Sequence, residues 1–140
     1  MKAIVGHPAR VLSVVTSFAA VMLFGASAGW AQQPGFARNI LQKVDTSVPG
    51  REAVQITAEF AAGVATGMHT HPGEEVGYVL EGGPFTLTIK GKPPLTLKAG
   101  DHFFVPAGTV HEGKNTGSGK AKVLITYIVE KGKPLATPVK

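Results

Sequence analysis

The 140-residue chain contains no cysteine. That excludes a disulfide framework, a thiolate metal ligand and a cysteine nucleophile, so the fold must be held by core packing and by any metal bound through nitrogen and oxygen. Tyrosine and tryptophan are sparse: there are two tyrosines and one tryptophan, Trp30, which lies near the N-terminal apolar run. The lysines are scattered through turns, strand ends and the tail. A nucleic-acid surface wants clustered basic residues interleaved with aromatic platforms, so the charges read as a solvated surface and no nucleic-acid partner is expected. Long hydrophobic runs are missing apart from Val11 to Phe24, which is short for the roughly 20 residues of a membrane span. No twin-arginine pair precedes that run, and no later segment sustains a helical period.

The first 31 residues read as a secretory signal peptide. Lys2 and Arg10 give a positive start, Val11 to Phe24 the apolar stretch, and Ala26-Ser27-Ala28 or Gly29-Trp30-Ala31 the small-residue cleavage box. Cleavage between Ala28 and Gln32 is expected, leaving a periplasmic or secreted chain with no stable membrane anchor. Removing Lys2 and Arg10 leaves twelve basic residues against nine acids, so the formal charge falls from +5 to +3 and the basic character belongs partly to the leader. About 109 residues remain, enough for one domain.

Eighteen glycines and ten prolines punctuate that remainder into short segments. Gln32 to Ala37 reads as a flexible leader and Arg38 to Val44 as a first strand, ended by a turn over Asp45 to Gly50. Regular strands begin more clearly at Ala53: Val54, Ile56, Ala58 and Phe60 alternate with Gln55, Thr57 and Glu59, and Phe85, Leu87 and Ile89 alternate with Thr86, Thr88 and Lys90. Short strands follow at Leu95 to Leu97 and His102 to Val105. Lys122 to Glu130 is apolar at nearly every position and is expected to be buried on both faces. The class is all-β, and the strand lengths allow a sandwich or a barrel. The organisation is a leader and first strand over 32–52, a barrel or sandwich over 53–130, and an extended tail over 131–140.

Chemistry concentrates in two segments. His69 and His71 are two apart, so on an extended strand both rings leave one face, and the Pro72-Gly73 turn lets a carboxylate return towards them. Glu75 and its neighbour Glu74 compete for that position. His111 must arrive from a separate hairpin. Three imidazoles and one carboxylate suit a single divalent ion, Fe, Mn, Ni, Co, Cu or Zn, and in an octahedral ion they leave two positions for water, dioxygen or substrate.

At these residues the chain resembles the cupin superfamily. Gly63, His69, His71, Glu75 and Gly82 meet the motif G-x5-H-x-H-x3-E-x6-G at every specified position, and Gly100, Pro106, Gly108, His111 and Asn115 meet G-x5-P-x-G-x2-H-x3-N. The resemblance covers residues 63 to 115. It implies a single antiparallel jelly-roll β-barrel with a metal held by His69, His71, Glu75 and His111, and the spacing to Gly82 favours Glu75 over Glu74. It also implies a homodimer, in which Arg38 to Val44 adds an edge strand to a neighbour. Similarity to cupin dioxygenases implies an enzyme acting on a small organic molecule, with Glu75 doubling as a base. Non-redox isomerase, lyase or sugar-acid chemistry, and plain binding of a metal or small ligand, use the same four ligands.

The remaining candidates read as support. His102 matches no ligand position and belongs to a strand edge or pocket wall. Glu112 follows a ligand directly and should face the other way, into solvent. The motif glycines serve tight bends, and Asn115 ties a turn through its amide. Phe60, Met68, Phe85, Leu87, Phe104 and Tyr127 are pocket candidates by alternation. After the leader, only Arg38 and Arg51 could clamp a substrate carboxylate, and neither lies in a motif, so no strongly anionic substrate is signalled.

Overall fold

The computed structural model describes residues 33–140; the expected signal peptide lies outside the described residues. Ten strands follow one another: β1 (Phe36–Asp45), β2 (Arg51–Phe60), β3 (His69–Thr70), β4 (Gly73–Glu81), β5 (Phe85–Ile89), β6 (Leu95–Leu97), β7 (His102–Val105), β8 (His111–Asn115), β9 (Ala121–Glu130) and β10 (Thr137–Pro138). They form two five-stranded antiparallel sheets, β1-β2-β9-β4-β7 and β10-β3-β8-β5-β6. This is the all-β jelly-roll arrangement the sequence predicts. Among the described residues no helix is long and apolar enough to cross a membrane.

The alternation in β2 does what a half-buried strand requires. Val54, Ile56, Ala58 and Phe60 are buried and face the interior, while Gln55, Thr57 and Glu59 face outward. Phe60 from one sheet meets Phe85 from the other edge-on, with ring centroids 5.1 Å apart. Around this contact fifteen buried apolar side chains form one core. Each large member is worth about 1.5–3 kcal/mol when fully buried, so this core supplies the cohesion that disulfides would otherwise give. Packing is tight enough to require glycine: a Cβ on Gly77 of β4 would stand 2.0 Å from the Phe103 ring on the neighbouring strand. Gly63, Gly82, Gly100 and Gly108 all have positive φ, between 68° and 93°, as expected for bend residues.

Two readings of the sequence are corrected, and the place of the tail is added. The first strand starts at Phe36 rather than Arg38, because Phe36 packs on Phe60 at 4.8 Å and draws the supposed leader into the sheet. β9 is buried on one face only: Leu124, Thr126 and Ile128 are half-buried because they point away from the core on the central strand of the first sheet. The extended tail is docked on the barrel. Thr137 pairs with Thr70 and Pro138 with His69, the Val139 N–H donates to the Met68 carbonyl, and Ala136 is buried.

Candidate metal centre

His69 lies on β3, Glu75 on β4 and His111 at the first position of β8, while His71 occupies the link between β3 and β4. The register places His69 opposite His111. On β4 the residues Gly73, Glu75, Gly77 and Val79 turn inward and Glu74, Val76 and Tyr78 outward, which assigns the carboxylate to Glu75 and removes Glu74. All four side chains are buried, and their ligand-type atoms lie within 4.8 Å of one another.

The rings are aimed by their second nitrogens. The Nδ1–H of His69 donates to the Gly67 carbonyl at 2.8 Å, that of His111 to the Thr109 carbonyl at 2.9 Å, and that of His71 to the Leu135 carbonyl in the tail. With these protons committed, the three Nε2 lone pairs converge. His69 Nε2 and His71 Nε2 stand 3.1 Å apart, and Glu75 Oε2 lies 3.1 Å from His71 Nε2 and 2.8 Å from His111 Nε2. Two nitrogen lone pairs facing each other at that distance repel unless a cation lies between them. Ligands about 2.1 Å from a metal and at right angles to one another sit about 3.0 Å apart, so the cluster has the spacing a single ion requires.

The titration behaviour agrees. Burial lowers His69 from 6.5 to about 4, against the opposing hydrogen bond to Gly67, so this ring is a neutral donor near pH 7. Burial disfavours the Glu75 charge, but hydrogen bonds with His111 and His71 outweigh it and hold the carboxyl down at about 2. Burial likewise opposes charge on His111, yet its hydrogen bond and charge attraction with Glu75 raise it. In the metal-free protein a proton on His111 therefore compensates the buried carboxylate, and a metal would replace that proton.

These four residues open onto a cavity of about 30 Å³ whose wall is otherwise largely apolar: Ile56, Phe60, Phe85, Leu87 and Phe103. Of the predicted pocket residues, Phe60, Phe85, Leu87 and Tyr127 line it. Phe104 and Met68 do not, being 55% and 38% exposed. The strand β7 runs in the opposite phase, turning Phe103 inward and leaving His102 and Phe104 outside. Glu112 faces away from the cluster and is half-exposed. Buried Asn115 shares its Nδ2 hydrogens among the carbonyls of Phe60, Ala61 and Gly119, and its Oδ1 accepts from the Gly117 N–H, so it ties a turn as expected.

Sequence reasoning missed two features. One is the role of Leu135, whose backbone carbonyl carries no side-chain signal. The other is Arg38, which lines the cavity, while Arg51 instead donates to the Pro72 carbonyl at 3.4 Å. The signal for Arg38 was its parity: Phe36, Arg38 and Ile40 lie opposite the inward Phe60, Ala58 and Ile56.

A small antiparallel jelly roll that gathers three imidazoles and a carboxylate around one point has the residue set of a metal site. Residues 56–127 match the cupin domain, and the chain belongs to that family. Germin-like protein subfamily 2 member 2 of Arabidopsis thaliana is 36% identical over 87 residues, covering 57% of this chain and 40% of its own length. The chain spans less than half the length of the curated relatives it matches. Among solved structures, the DMSP lyase DddQ from Ruegeria pomeroyi DSS-3 superimposes with a TM-score of 0.63 at 24% identity, over 82% of this chain and 57% of that one. Oxalate oxidase in complex with the substrate analogue glycolate gives 0.59 at 24% identity, over 75% and 55%. Both structural likenesses speak for the fold alone.

Proposed function

We propose that this protein is an exported, mononuclear metalloenzyme that carries out oxidative, dioxygenase-like chemistry on a small organic molecule. The observation that carries the reading is the trio of Nδ1–H bonds to backbone carbonyls, which commits three imidazoles to present Nε2 beside Glu75 in a mostly apolar cavity. His69, His71, His111 and Glu75 would hold the ion, which when bound supplies Lewis acidity and, for a redox-active metal, electron transfer to dioxygen.

The chain's own residues do the rest. The apolar wall excludes water and so strengthens every charge interaction inside. Glu75 uses Oε2 for both histidines, and Oε1 makes no hydrogen bond among the described residues, leaving one oxygen to accept a proton from the substrate. A carboxyl held near 2 is a firm ligand and a weak resting base, so it suits a substrate whose proton is already acidified at this site. The size of the cavity narrows the range of substrates. A buried water needs roughly 10–15 Å³, so about 30 Å³ admits a molecule of few heavy atoms and not a flavonoid.

A second reading, non-redox lyase or isomerase chemistry, draws support from the Tyr127 phenol beside the cluster. The metal content of protein purified from its native compartment separates the two. Fe, Mn, Ni or Cu with oxygen consumption on small hydroxy and keto compounds supports the first reading; Zn with turnover in the absence of oxygen supports the second. No turnover by protein loaded with any of these ions would favour a protein that only binds.

Export and dimerisation belong to the same proposal. N-terminal sequencing of the mature protein should begin between Gly29 and Gln32. Light scattering should find a homodimer, since β1 is an edge strand that exposes Ile40, Leu41 and Val44. A monomer at micromolar concentration would overturn that part.

A further inference from the structure

We propose that the Tyr127 hydroxyl is a substrate-binding group: it donates a hydrogen bond to a second oxygen of a molecule whose first oxygen the metal cluster holds, so the cavity selects small compounds with oxygens on neighbouring carbons. The inference names the substrate class of the metalloenzyme reading and rests on it. Tyr127 lies mid-strand on β9 and pairs with Glu75 on β4, so both side chains leave the first sheet on its inward face. Its ring stands 4.5 Å from that of His71, and the residue lines the cavity. Tyr127 is 4% exposed, yet its hydroxyl makes no hydrogen bond among the described residues. A buried phenol normally finds a partner, because bulk water no longer serves it. The other hydroxyl on the wall is already spent: Thr66 Oγ1 accepts from the Gly113 N–H at 3.1 Å and donates to the Gly67 carbonyl at 3.1 Å. Tyr127 therefore supplies the hydroxyl with a donor to give.

Its position limits what can take that donor. Tyr127 pairs with one cluster residue and packs on the ring of another, so an acceptor within its reach belongs to a molecule that also meets the cluster. At neutral pH the phenol carries its proton and needs a lone pair, which a hydroxyl or carbonyl oxygen supplies and a methyl group does not. The cavity of about 30 Å³ leaves room for few heavy atoms, so the oxygen at the cluster and the oxygen at Tyr127 sit on neighbouring carbons. A ligand that fills the cavity without the second oxygen strands the O–H and binds less tightly for it.

The test uses two matched pairs of probes, ethylene glycol against 1-propanol and hydroxyacetone against 2-butanone, in which a hydroxyl is exchanged for a methyl. Zinc-loaded protein is titrated calorimetrically with each, and zinc content and melting temperature are measured for every variant. The chain has two tyrosines, so Tyr78→Phe, on the outward face of β4, leaves Tyr127 as the sole tyrosine whose near-ultraviolet absorption shifts to the red when its O–H donates. That shift is expected with ethylene glycol and hydroxyacetone and not with 1-propanol or 2-butanone. Tyr127→Phe should weaken ethylene glycol and hydroxyacetone roughly three- to tenfold, the usual net worth of a hydrogen bond, while 1-propanol and 2-butanone bind no less tightly and zinc content stays the same. Its melting temperature should be unchanged or higher, since an O–H bonded within the protein would be missed and one kept for a ligand would not. Equal weakening of both members of a pair, no spectral shift with the two-oxygen probes, or a clear drop in melting temperature overturns the proposal. Zinc content decides the metalloenzyme reading separately. If zinc fails to bind while Tyr127 still responds, that reading falls alone; if zinc binds and Tyr127 does not respond, the substrate class falls alone.

Discussion

The two sheets equip the site by different means. The sheet β1-β2-β9-β4-β7 has four strands of nine or ten residues, and from it come Glu75, Tyr127 and Arg38. Their direction is set by the pleat, because a ladder on one or both sides fixes which way each side chain leaves the strand. The sheet β10-β3-β8-β5-β6 has strands of two to five residues, and it and its links bring the imidazoles. A two-residue strand such as β3 cannot hold a ring still. Each imidazole is therefore tied by its own Nδ1–H, His69 and His111 to carbonyls two residues back and His71 to Leu135, sixty-four positions away. Long ladders orient through the backbone, whereas short ones need a dedicated hydrogen bond.

The largest expected effect strikes the imidazole side. His69→Ala, His71→Ala and His111→Ala should each lose metal on dialysis, with a fall in affinity beyond the roughly 10- to 100-fold that outer hydrogen bonds contribute. His102→Ala, on the outward face of β7, should keep its metal. Metal per chain is the measurement, and equal loss in the His102 variant would show that the ligand set is misassigned.

Breaking the other sheet's contribution should divide chemistry from binding. Glu75→Gln keeps the size and a coordinating oxygen but cannot accept the proton. Turnover should drop by roughly two to four orders of magnitude while some metal remains. If metal affinity alone changes, Glu75 is a ligand only and the protein a binder.

Third in size is the long tie of His71. A chain cut after Lys133 loses the Leu135 carbonyl and the pairing of β10 with β3, while the long ladders between β2, β9 and β4 stay whole. Metal affinity should fall roughly 10- to 100-fold with little change in the circular dichroism of the sheets. Unchanged affinity would show that the link between β3 and β4 holds His71 unaided.

The smallest effect is one of pH on the metal-free protein. His69 has its folded value lowered from 6.5 to about 4, so between those values the unfolded chain binds a proton that the folded one refuses. Stability should decline as pH falls through that window, and the lowered Glu75 extends the decline as pH falls from 4.5 towards 2. The raised His111 acts in the opposite sense but contributes its full stabilisation below 6.5, leaving the slope there to His69. Melting curves from pH 7 to pH 4 should show it, and His69→Gln should flatten it.

These contrasts also explain what could be read from the sequence. The clustering of His69, His71, Glu75 and His111 was legible because the two family motifs name all four; alternation and one turn account for the first three, and His111 comes from a separate hairpin. The sheets were legible wherever alternation was clean, as in β2 and β5. The phase of β7 was lost because Phe103 and Phe104 are equally apolar, and four residues cannot say which of them turns inward. Arg38 was set aside because its cavity role depends on the partner of β1, a long-range pairing no local pattern reveals. The docking of the tail was illegible for a similar reason: a backbone carbonyl at Leu135 is the same in any residue.

That tail also sets an order of events during synthesis. His69, Glu75 and His111 have all been made, with the local anchors at Gly67 and Thr109, well before the ribosome reaches Leu135. Until residue 135 is made and free to fold back, His71 lacks the acceptor that fixes its tautomer, so a nascent chain can offer an ion only a loosely aimed fourth ligand. A firmly aimed His71 is thereby reserved for a chain that has been made through residue 135.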